Sequence, residues 1–97
     1  MRKDKFERVA KNSGFTPIAR RPAIHGDVLL AQKYANLDKD FDKPHWQMVW
    51  ALDRENVDAF QVLFFEFGGF TEKQRIAACL AAADEFVKDN LEVGRFH

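Results

Sequence analysis

The sequence predicts an α+β fold, with an antiparallel sheet and flanking helices, and an all-α arrangement is the alternative. Residues 46–52 alternate large apolar residues at a period of two, which is typical of a strand. Residues 60–67 are rich in phenylalanine and end at Gly68-Gly69, which predicts a second strand. Residues 72–90 repeat apolar residues at helical spacing. A length of 97 residues suits one domain over residues 1–97.

An N-terminal helix is predicted over residues 3–11. Phe6, Val9 and Ala10 share one side of it, and the charged residues lie elsewhere on its surface. Asn12-Ser13-Gly14 then supplies a stop.

The segment that follows gives weaker signals. Two prolines and a glycine within residues 15–27 predict a loop with at most a short extended piece around Ile18. Residues 28–37 fit a helix capped by Asp27 or a strand, and their Leu, Ala, Gln and Lys content favours the helix.

The second half of the chain has clearer signals for the ends of its helices and strands. A polar connection ending in proline occupies residues 38–44, and the two predicted strands pair antiparallel through a loop longer than a tight turn. Thr71 and Gln74 form a capping-box signature that begins the long C-terminal helix.

Composition places the chain among ordinary globular proteins. Charged residues are 31% and apolar residues 46%, and the longest apolar runs are too short for a membrane span of roughly 20 residues. No apolar signal-peptide region follows the charged N-terminus. The expected compartment is therefore the cytoplasm.

The aromatic content predicts a partner surface. Residues 60–70 hold five of the ten phenylalanines, and both faces of a strand over 60–67 would be largely apolar. The C-terminal helix can cover only one face of this strand. The other face is covered either by the N-terminal helix or the 28–37 segment, or by a partner. Trp46, Trp50, Phe65 and Phe67 are the residues predicted to contact another protein or a second copy of the chain in a homodimer.

These features favour a small non-enzymatic protein-binding protein of the inhibitor, adaptor or regulator type. The Met1 start and the single domain fit a free-standing accessory protein, such as mobile elements often encode. No cofactor is expected.

A nucleic-acid-binding regulator is the alternative function. Residues 1–34 carry a net charge of +5 and the remainder −5, and the basic candidates are Arg2, Lys3, Arg8, Arg20 and Arg21. The overall isoelectric point of about 6.8 and the lack of a recognisable nucleic-acid module favour a protein partner instead.

A small enzyme with an unidentified substrate is the second alternative. His25-Gly26-Asp27 puts an imidazole near a carboxylate, but adjacent His and Asp are common by chance, and the only cysteine, Cys79, lies in an apolar run. No catalytic residue is assigned.

Metal-binding patterns are incomplete. Asp38, Asp40 and Asp42 begin like a calcium loop, but Lys43 and Val49 stand where glycine and glutamate are required. The three histidines are too far apart in sequence for a zinc motif. The sequence predicts no metal site.

Overall fold

The structure is a computed structural model that describes residues 3–35, 44–53, 60–66 and 70–92, with side chains except at 60–66 and 90–92. The predicted α+β fold is confirmed. Two helices enclose a run of four strands in chain order, namely α1 Lys3–Asn12, β1 Thr16–Ala23, β2 Gly26–Ala35, β3 His45–Asp53, β4 Phe60–Glu66 and α2 Glu72–Glu92. No described helix combines the length and apolar character needed to cross a membrane.

The strands form one antiparallel sheet in the order β1-β2-β3-β4, so that each strand pairs with its neighbours in sequence. In the middle of the sheet, Trp50 of β3 lies between Leu30 of β2 and Gln61 of β4. Among the described residues, β1 and β4 are the two edges of the sheet.

Each helix packs on its own face of the sheet. α2 buries its apolar stripe, Cys79, Ala83 and Val87, against one face, which comprises Val28, Leu30, Met48, Trp50 and Leu52. α1 places Phe6 and Ala10 on the opposite face, against Leu29, Ala31, Val49 and Ala51. The sheet is therefore the middle of three layers, and β2 and β3 are apolar on both sides because both sides are covered.

The predicted helix at residues 28–37 is wrong. Residues 28–35 belong to β2, while 36–37 lie outside the described residues. The four consecutive apolar residues from Val28 to Ala31 are all buried because successive side chains point alternately to the two helices. A strand buried on both faces has no polar alternation, so its composition resembled that of a helix.

The loop predicted over residues 15–27 is also wrong. β1 and β2 form a hairpin, with Ala23 paired with Gly26 across the Ile24-His25 turn. Gly26 has a φ of 132°, which glycine adopts readily. Pro17 and Pro22 are tolerated because β1 is an edge strand, where a missing N–H need not break the sheet.

The remaining predicted elements are confirmed. α1, β3, β4 and α2 lie where the sequence placed them, and β3 pairs antiparallel with β4. At the capping box, the Thr71 N–H donates to Gln74 Oε1 at 2.8 Å and the Gln74 N–H donates to Thr71 Oγ1 at 3.2 Å. Most of the polar connection at 38–44 lies outside the described residues.

Candidate functional site

A buried arginine organises one end of the sheet face that α2 covers. Arg75, in the first turns of α2, is 4% exposed. Its Nη1 donates to the Phe70 carbonyl and its Nη2 donates to Gln32 Oε1, each at 3.3 Å. The guanidinium carbon lies 4.2 Å from the centroid of the Trp46 ring, within the range of a cation–π contact. Arg75 therefore ties the start of α2 to both β2 and β3.

The charge of Arg75 is only partly compensated. Burial lowers its pKa, while the nearby Glu72 and then Cys79 act in the opposite direction. Its Nε is buried and finds no hydrogen-bond acceptor among the described residues. The stack on Trp46 offsets part of the desolvation cost because the ring presents its negative face to the cation.

Three aromatic residues lie near this arginine, and Phe70 meets it through its backbone carbonyl. Tyr34 is the register partner of Trp46, and their ring centroids lie 5.1 Å apart at an interplanar angle of 53°. Tyr34 is 41% exposed and Phe70 is 45% exposed, whereas Trp46 is half-buried. We call Tyr34, Trp46, Phe70 and Arg75 the Arg75 cluster. It exposes aromatic surface, and the Trp46 ring within it is held in place by the buried Arg75.

The structure places Trp46 and Trp50, two of the four predicted contact residues, in different surroundings. Trp46 belongs to the Arg75 cluster, but Trp50 is 0% exposed in the core and packs edge-on against Phe86, with centroids 6.1 Å apart. The assignment of Trp50 to a binding surface is wrong for the described protomer. Phe65 is the β4 register partner of Trp46, although its side chain lies outside the described set, as does all of Phe67.

Sequence reasoning missed Tyr34, Phe70 and Arg75. Tyr34 lies in the segment for which the composition favours a helix, and nothing in the spacing of the C-terminal helix marks the charged Arg75 as buried. The available signal is the capping box: Phe70 directly precedes it, so its carbonyl lies within reach of a side chain in the first turns of the helix.

Two of the predicted basic residues, Lys3 and Arg20, lie close to carboxylates. Lys3 Nζ lies 3.8 Å from Glu7 in the next helical turn. Arg20 lies 2.6 Å from the Asp53 carboxylate and 3.5 Å from that of Asp27. Arg8 is exposed, Arg21 is half-exposed, and Arg2 lies outside the described residues. Nucleic-acid binding stays a prediction.

The residues considered for catalysis make the following contacts. The His25 backbone N–H donates to Asp84 Oδ1 at 3.2 Å, and Asp27 faces Arg20. Cys79 lies on the buried face of α2, in the core. Within the described ranges, no group of three or more His, Cys, Asp or Glu side chains is arranged to hold a metal ion.

Cys79 should be inert in the folded protein. Burial raises the pKa of its thiol from 9.0 to about 12, with a smaller opposing effect from Arg75. We expect Ellman's reagent at pH 8 to react slowly with native protein and rapidly in guanidinium. Because the folded state holds this proton more tightly, its contribution to stability is complete below about pH 9 and declines as the pH rises towards 12. Equal labelling rates in the native and unfolded states would contradict this.

Comparison with known proteins gives no relative. No protein-family model matches the chain. No curated protein and no solved structure matches it either. Its function is therefore inferred from its own residues.

Proposed function

We propose that this chain is a small non-enzymatic protein that binds another protein through the Arg75 cluster, as an inhibitor, adaptor or regulator. The supporting observation is that two partly exposed aromatic residues join the Trp46 ring and the buried arginine on which it stacks. Tyr34 contacts the Trp46 ring, and the Phe70 carbonyl accepts a hydrogen bond from Arg75. The proposed compartment is the cytoplasm, which suits a single free cysteine.

The residue types of the cluster suit protein recognition. Tyrosine, tryptophan and arginine are enriched among the residues that contribute most to protein–protein binding. Rings that are already fixed lose little conformational entropy when a partner binds. Trp46 is held in this way by Tyr34 on one side and by Arg75 across its face.

The surroundings of the cluster resemble the rim of an interface. Thr71, Glu72, Lys73 and Gln74 are all exposed beside Phe70. An apolar centre with a polar border is the usual anatomy of a protein-binding surface. By contrast, Ile24 is 82% exposed at the β1–β2 turn. A single exposed apolar side chain of that kind is common and needs no partner.

Affinity capture tests the proposal. The immobilised wild-type protein should retain a protein partner at moderate salt, and the variant carrying Tyr34→Ala and Phe70→Ala should reduce the retained amount at least about tenfold, as expected when interface anchors are truncated. Ile24→Ala is the matched control and should retain the wild-type amount.

Thermal unfolding must first show that all three proteins are folded. Retention of the same protein by the wild type and the double variant would refute the proposal, as would retention of none by the wild type.

A further inference from the structure

The two edges of the sheet differ in how they are protected. β1 carries Pro17 and Pro22, and its register shifts between Ile18 and Arg21. Prolines, bulges and charged residues are the features by which edge strands avoid pairing with other chains. β4, with the sequence FQVLFFE, contains no proline, glycine, lysine or arginine, and among the described residues it pairs with β3 alone.

β4 also lies beyond the area that the helices cover. α1 and α2 both pack across β1, β2 and β3, and neither makes comparable packing against β4 within the described part of the chain. The strand richest in phenylalanine is therefore the one least supported by the helices. Its outer backbone groups have the extended geometry that accepts a further strand.

We propose that β4 pairs antiparallel with β4 of a second copy of this chain, which joins the two sheets through a two-fold axis. The inference goes beyond the proposed function because it concerns the edge of the sheet and not the Arg75 cluster. It would stand or fall independently of the partner bound there.

The register of this pairing follows from geometry. Opposed residues in an antiparallel ladder lie on the same face of the sheet. A two-fold axis perpendicular to the sheet also keeps each residue on its face, so one residue of the strand must lie directly opposite its own copy. An axis at Leu63, the middle of Phe60–Glu66, pairs the whole strand, and any other position shortens the ladder. Phe60 then lies opposite Glu66, and Val62 lies opposite Phe64.

Two features favour a second copy of this chain as the partner of β4: the distribution of charge and the protection of the other edge of the sheet. Glu66 is the only charged residue of β4, and the proposed register does not oppose it to its own symmetry mate. The chain has a formal net charge of zero, so two copies do not repel each other over distance. Because the β1 edge is protected, β4 cannot recruit β1 of another copy, and the assembly closes as a dimer.

The mass in solution tests the proposal directly. Sedimentation equilibrium at micromolar concentrations should give twice the chain mass of 11.2 kDa. Leu63→Lys puts two positive charges opposite each other at the axis and should shift the mass to the monomer. Ile24→Lys adds the same charge at the exposed turn and should leave the dimer intact. A monomeric wild type, a larger open assembly or a dimeric and folded Leu63→Lys variant would overturn the proposal.

A cross-linking measurement decides the matter if Leu63→Lys fails to fold. Directly opposed residues have Cα atoms about 4.5–5.5 Å apart, which a disulfide can bridge. With oxidised glutathione, Leu63→Cys should form a disulfide with its own mate, while Ile24→Cys should not cross-link above the diffusion-limited background. The buried Cys79 leaves one reactive thiol in each variant. Equal cross-linking at positions 63 and 24 would overturn the proposed register and the dimer with it.

Failure of this proposal would leave the proposed function intact. Tyr34 and Phe70 lie outside β4, so partner capture that depends on them is measured separately from the mass of the free protein.

Discussion

Trp50→Ala is expected to lower the free energy of unfolding by about 3–5 kcal/mol. Trp50 is the largest fully buried side chain, at 0% exposure, and it stands in the central part of β3 beneath α2. Its removal would leave a large cavity between the sheet and Phe86, because the surrounding strands and helix relax only partly. Since small domains are stable by only about 5–15 kcal/mol, this loss would remove a large fraction of the total stability.

Urea denaturation followed by far-ultraviolet circular dichroism measures the loss without relying on tryptophan fluorescence. The indole Nε1 is buried and finds no acceptor among the described residues, so Trp50→Phe removes an unsatisfied donor together with ring volume. It should therefore be less destabilising than Trp50→Ala. Ile24→Ala, at the exposed turn, should stay within about 0.5 kcal/mol of the wild type. A loss below about 1 kcal/mol for Trp50→Ala would place this ring outside the core.

The contrast between β3 and β2 shows what the sequence can predict about this fold. β3 was predicted because Trp46, Met48 and Trp50 alternate with smaller or polar residues, so the pattern identifies a strand without knowledge of its neighbours. β2 was assigned wrongly because its burial comes from two helices that are distant in sequence. Covering both faces removes the alternation that distinguishes a strand.

Some of the aromatic side chains are buried inside the protomer, and others are partly exposed. Phe6 and Trp50 are buried on opposite faces of the sheet, which shows that α1 supplies the second cover that sequence reasoning considered. Phe70 remains 45% exposed and Trp46 is half-buried. The proposed protein partner would cover these two rings.

The Arg75 cluster could be predicted only in part. Trp46 was selected from composition alone. The contact between Arg75 and Gln32 joins residues 43 positions apart, and it depends on the packing of α2 across a strand that was taken for a helix. A charged residue in an amphipathic helix is normally placed on the solvent side, so its burial against Trp46 has no local signal.

Arg75→Ala should lower the free energy of unfolding by about 2–3 kcal/mol, since hydrogen bonds to charged groups contribute about 1.5–3 kcal/mol and unpaired buried partners add a cost. The substitution leaves Gln32 Oε1 and the Phe70 carbonyl without this donor, and it removes the stack on Trp46. Chemical denaturation measures the stability, and near-ultraviolet circular dichroism reports the surroundings of the tryptophan ring.

Two further variants separate the contributions of charge and shape at Arg75. Arg75→Lys keeps the charge but lacks the planar group that both stacks on Trp46 and reaches two acceptors, so it should recover little of the loss. Arg75→Met keeps much of the volume and removes the buried charge, and replacing buried charges by apolar residues is often tolerated. It should therefore be more stable than Arg75→Ala, although the Phe70 carbonyl still lacks its donor. If Arg75→Ala matched the wild type in both stability and tryptophan dichroism, Arg75 would not be what holds the Trp46 ring in place. The proposed role of Trp46 in binding depends on that contact.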